Sequence, residues 1–146
     1  MKLIAHRGLT NGPNPDIENS KMQITIALHK GFDVEVDVWY INDVWYLGHD
    51  MPLYQTDISF LSKPGLWIHA KNIDALYQLS KTELNYFWHQ EDHFTLTSHG
   101  YIWTYPNNRL TDHSICVMPN WHDGELRNAK DANCYGICSD YVALIK

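Results

Sequence analysis

The chain has 146 residues, 45% of them apolar and 19% charged, with a net charge of −6. That is one domain's worth of sequence with enough apolar content for a core, and the lack of any basic run argues against nucleic acid as a partner, since phosphate backbones need clustered Lys and Arg. No apolar stretch approaches the roughly 18 residues of a membrane span, and the opening MKLIAHRG is too poor in apolar residues for a signal peptide. Cys116, Cys134 and Cys138 lack CxxC spacing, so they are expected to be reduced thiols of a cytoplasmic protein.

Residues 2–5 form an apolar run that stops at His6-Arg7-Gly8, as a buried strand delivering polar groups at its end would. The NGPNPD that follows is loop. Asn19 or Ser20 is placed to cap a helix over 21–30, which Gly31 ends. Residues 32–38 then read as a strand, because Val34, Val36 and Val38 alternate with Asp33, Glu35 and Asp37. A strand repeats every two residues, so Glu35 and Asp37 share a side. Two neighbouring carboxylates resist ionising together unless a cation lies between them, and a hard divalent ion with oxygen ligands would be such a cation. Asn42-Asp43 signals a reversal, and VWYLGHD returns to His49.

The chain then reads as irregular to Pro64-Gly65, with one helical turn in DISFL. Residues 66–68 predict a strand presenting His69 and Lys71 on one face, and a short helix follows within 72–83. Further strands are expected at 86–88, 114–118 and 135–138, and 94–98 with 101–105 suit a hairpin or consecutive strands. A poor helix is expected over 123–132 and a short one in YVALIK. Strand, helix and strand over 2–38 make a βαβ unit.

Four blocks resemble the glycerophosphodiester phosphodiesterase family, within the phospholipase-C-like phosphodiesterases: IAHRG at 4–8, IENS at 17–20, EVDV with the later GHD at 35–38 and 48–50, and GICSDY at 136–141. The resemblance is most specific over residues 1–50. It implies a (β/α)8 barrel of TIM type, here compact, with several outer helices reduced to loops in one domain over 1–146. It also implies metal-dependent phosphodiester cleavage, with His6 and His49 as the acid–base pair and Glu35 and Asp37 as metal ligands. Arg7 would contact phosphate and Glu18 would orient it. The family's third strand carries E-x-K where this chain has His69-Ala70-Lys71, so Lys71 would meet phosphate and His69 would take the third ligand's place. The implied cofactor is a divalent metal, Mg2+ or Ca2+, although an imidazole suits Mn2+ or Zn2+ better.

The chemistry needs an activated nucleophile, a protonated leaving oxygen and offset phosphorane charge. The substrate expected is a small glycerophosphodiester-like molecule, opened through a cyclic phosphate. A non-catalytic module binding phosphate or polyol phosphate is the alternative. A homodimer would cover barrel flanks that lack helices. Structural readings compete at single residues: Glu18 as a charge in a helix's first turn, His89 as a core or surface residue, and Trp103, Tyr105 and Trp121 as aromatic core instead of a substrate wall. His29, His93, His99, His113 and His122 show no ligand spacing and are expected on the surface.

Overall fold

Alternation along each strand decides what the two faces of the sheet carry. In β1 (Lys2–His6), Leu3 and Ala5 join one apolar cluster while Ile4 joins another. In β2 (Asp33–Ile41), Val34, Val36 and Val38 are wholly buried under α1 (Lys21–His29) and α3 (Ile73–Leu79), which leaves Asp33, Glu35 and Asp37 to the opposite, concave face. Ser20 caps α1, its hydroxyl accepting from the Gln23 N–H, a contact worth about 1 kcal/mol. Asn42 and Asp43 both adopt positive φ, as a two-residue hairpin turn requires, and return the chain as β3 (Val44–Leu47).

The remaining elements are β4 (Tyr54–Thr56), α2 (Ile58–Leu61), β5 (Leu66–Ala70), β6 (Tyr86–Phe87), β7 (Phe94–Leu96), β8 (Ile102–Thr104), β9 (Ser114–Val117), β10 (Gly136–Ser139) and a 3-10 turn, Val142–Leu144. The computed structural model describes residues 1–119 and 131–145; the helix expected over 123–132 falls largely outside them, as do Trp121 and His122. Parallel pairing runs β6-β5-β2-β1-β10-β9-β8, with β7 antiparallel on β8 and the β3–β4 hairpin on the far half of β2. The sheet curls until Phe87 of β6 stacks on Trp103 of β8, ring centroids 4.6 Å apart, although five strands separate them along the sheet.

This corrects the expected (β/α)8 TIM-type barrel. Among the described residues 31% are strand and 18% helix, with three helices and a curled, mixed half-barrel sheet. The reason lies in the connections. A parallel return needs a dozen or more residues, usually a helix, and among the returns that lie wholly within the described residues those from β1 to β2 and from β5 to β6 carry one, α1 and α3. Residues 88–93 and 97–101 are too short, so β7 and β8 come back as an antiparallel hairpin. Residues 105–113 reach β9 as a loop. Aromatic rings fill the concave face: Trp67, Phe87 and Trp103 pack with Ile4, Ile115, Val117 and Cys138. β4 was not expected at all; three residues of a stretch read as irregular pair with β3. No helix among the described residues is long and apolar enough to cross a membrane.

Gly48 sets the turn that carries His49. Its φ is +149° and an added Cβ would lie 2.0 Å from the Met51 carbonyl oxygen, a position open to glycine alone. Gly48→Ala is expected to destabilise the protein by about 2 kcal/mol or more, read as a lower urea midpoint with an unchanged slope.

Candidate functional site

Strand register assembles the site from distant parts of the chain. His6 stands beside Glu35 across the β1–β2 pairing, and Asp37 beside His69 across β2–β5. Glu35 and Asp37 are 2% and 1% exposed. Two charges this deep are tolerated only when paired and hydrogen-bonded. Asn19 answers Asp37 twice, its amide donating to Oδ2 at 2.9 Å and its Oδ1 accepting the Asp37 N–H at 3.0 Å. Arg7, held at a φ of +52°, donates its backbone N–H to Glu35 and aims Nε at Asp37 from 3.3 Å. Its Nη1 lies 3.1 Å from both oxygens of Glu18. Lys71 Nζ stands 3.9 Å from Asp37.

The two acids are driven apart electrically. For Glu35, burial first and then the neighbouring Asp37 raise the carboxyl above its ordinary value. For Asp37 burial also pushes upward, but His69, Arg7 and Asn19 outweigh it and bring the group down to about 2. One acid is firmly ionised and its neighbour holds its charge reluctantly.

His6 donates from Nδ1 to Asp140 at 2.8 Å, since a carboxylate only accepts. That turns Nε2 toward Glu35, 3.9 Å away. Burial alone would lower the His6 pKa, yet the Asp140 hydrogen bond and the charges of Glu35 and Asp140 carry it above the usual 6.5. His49 comes from the β3–β4 turn, where the Trp39 indole donates to the Gly48 carbonyl at 2.6 Å and Asp50 meets His49 Nδ1 at 2.7 Å. His6, Arg7, Glu35, Asp37, His49 and His69 all line one cleft of about 80 Å³, with Trp103, Tyr105, Val117 and Met118 as its remaining wall. Glu18 and Lys71 lie behind that lining and reach it through Arg7 and Asp37.

Glu35, Asp37 and His69 each offer a ligand atom, all within 4.8 Å of one another. His69 Nε2 lies 3.1 Å from the His89 carbonyl and must donate to it. In the neutral ring the lone pair therefore sits on Nδ1, 3.2 Å from Asp37 Oδ1 and 3.8 Å from Glu35 Oε1. Asp37 Oδ1 is buried with no hydrogen bond among the described residues. Three donor atoms facing one another need a proton or a cation between them. Two carboxylates and an imidazole suit a divalent ion, and the nitrogen favours Mn2+ or Zn2+ over Ca2+.

Sequence reading missed two participants. Asn19 looked like a helix cap, but it is wholly buried and serves Asp37. Asp140 takes no role from the GICSDY block alone, and its place just after β10 is the signal that marks it. His89, expected in the core or on the surface, is buried at 6% exposure with neither ring nitrogen hydrogen-bonded among the described residues, and touches the site through its own carbonyl. His29, His93, His99 and His113 are exposed. No protein-family model matches the chain, and no curated protein matches it.

The opposite shifts of the two acids predict opposite responses in metal-free protein. A depressed carboxyl contributes stability above its unfolded value, so Asp37's contribution is lost as pH falls from about 3.8 through about 2. Glu35, raised, costs stability above its folded value, and that cost is relieved as pH falls toward 4.5. Asp37→Asn should lower stability by about 2–3 kcal/mol at pH 7, whereas Glu35→Gln should raise it. Urea unfolding of both variants in chelator is the check; equal losses would refute the asymmetry.

Proposed function

We propose that the protein is a metal-dependent phosphodiesterase acting on a small glycerophosphodiester-like substrate, with His6 and His49 exchanging protons. The observation that carries this reading is the meeting of both histidines with the Glu35–Asp37–His69 set in one small cleft. The four blocks that resemble glycerophosphodiester phosphodiesterases supply the substrate class. That resemblance rests on residues alone, since the barrel it implied is not the fold.

Glu35, Asp37 and His69 would hold the divalent ion, whose chemistry when bound is to polarise a phosphoryl oxygen and offset its charge. His6 is the proton donor: Asp140 fixes its tautomer and favours its protonated form, so Nε2–H can pass to the leaving alkoxide. His49, on the facing turn, accepts the proton of the attacking hydroxyl. In a glycerophosphodiester that hydroxyl is the neighbouring one on the glycerol, and its attack on phosphorus expels the other alcohol and leaves a cyclic phosphate. Lys71 and Arg7 contribute fixed positive charge beside the acids.

A second reading, a non-catalytic module that binds phosphodiesters, is favoured by one contact. Arg7 already commits Nη1 to Glu18 and Nε to Asp37, which turns part of its fork toward the protein's own carboxylates. Calorimetry with a glycerophosphodiester separates the two, because binding without product after long incubation belongs to the module.

His6→Ala and His49→Ala should each lower turnover at least about 10²-fold, and chelator should abolish it with the far-ultraviolet circular dichroism unchanged. Turnover untouched in either variant would remove that histidine from the chemistry.

A further inference from the structure

The Tyr105 hydroxyl and the His89 ring take no part in the chemistry described so far. Tyr105 follows β8 and lines the cleft beside His6, Glu35 and His49. It is held in three ways. Its backbone N–H donates to the His93 carbonyl at 3.0 Å, its carbonyl accepts from the Asn108 amide at 3.1 Å, and its ring stacks on His89 with centroids 3.9 Å apart and planes 22° apart.

The His89 imidazole is buried and, among the described residues, neither nitrogen has a hydrogen-bond partner. A flat ring with no polar engagement there acts as a platform for Tyr105, and the same residue's carbonyl orients His69. No hydrogen bond among the described residues ends on the Tyr105 hydroxyl, those of the residue being made by its backbone, and a phenol with an ordinary value of about 10 is protonated at neutral pH. A phenol kept protonated, clamped in place and open to a charged cleft is a preorganised donor.

We propose that the Tyr105 phenol donates a hydrogen bond to a substrate phosphoryl oxygen, doing the work that Arg7, engaged by Glu18 and Asp37, performs only in part, with His89 as the positioning residue beneath its ring. This rests on the phosphodiester reading. The step moves no proton: Tyr105 O–H stays intact and its bond shortens as charge grows on the equatorial oxygen.

The test uses inorganic phosphate titrated calorimetrically into the full chain with Mn2+ present. Tyr105→Phe removes one oxygen and keeps the ring stack, so melting should stay near wild type while phosphate binds roughly 10- to 100-fold more weakly, the range for a lost hydrogen bond to a charged group. In unsubstituted protein carrying 13Cζ-labelled tyrosine, phosphate should move a single phenol resonance, which keeps the proposal testable if the variant misfolds. Equal affinity in Tyr105→Phe, or no resonance moved, overturns the inference and leaves the proposed reaction standing on the His6 and His49 variants. Wild-type protein that binds no phosphate overturns it too, and turnover unaffected by the histidine variants separately removes the reading beneath it.

Discussion

Burial of Glu35 and Asp37 on the concave side of β2 is the constraint around which the rest is arranged. Each ion moved out of water costs several kcal/mol even after relaxation. The offsets come from separate parts of the chain: Asn19 and Arg7 from the first connection, His6 from β1, His69 and Lys71 from β5 and its end. Several of these positions are themselves costly, since Arg7 and Asn19 both adopt positive φ without being glycine. Local strain is retained where the surroundings require it, and here two strained residues bring their donors to two buried acids.

The acids are not equivalent, and the difference has a geometric source. Asp37 sits where Asn19, Arg7 and His69 converge, whereas Glu35 meets one backbone N–H and more distant imidazoles. The charge that the fold supports least lies next to the charge it supports most. Added positive charge therefore gains most at Glu35, which is where the Nε2 of His6 already points. Burial first, and then the charge of Glu35, push both the Tyr105 phenol and the buried Cys138 thiol above their ordinary values.

Curling the sheet without a full set of helices demands another way to hold its faces together. On the helical side, α1 and α3 cover β1, β2 and β5 with aliphatic residues. On the concave side, large rings span the gap that layered aliphatic residues fill in a closed barrel: Trp67 against Trp103 and Tyr101, Phe87 against Trp103 and His69. Stacked rings contribute beyond their buried area, and they wall the cleft as well as the core. This is why Trp103 belongs to both, and why the opposition between aromatic core and substrate wall does not separate the two roles here.

Much of the site could be read along the chain, because its signals are local. The two-residue alternation of β2 puts Glu35 and Asp37 on one side whatever the fold, Asn42-Asp43 imposes its reversal through backbone sterics, and Ser20 caps its helix within four residues. Other features depend on pairs far apart in sequence. Asp140 gains its meaning from His6, 134 residues away, and Asn19 turns from a plausible cap into a buried clamp only because β2 passes beside it. The barrel expectation failed for a related reason: motif blocks report strand ends, while closure depends on the connections between them, and 88–93 and 97–101 are too short to carry helices. Sequence by itself determined which side chains bear charge and which way each strand directs them. Tertiary structure alone decided which of those charges meet, because burial, the solvent's exclusion and the distances between strands exist only once the sheet has curled.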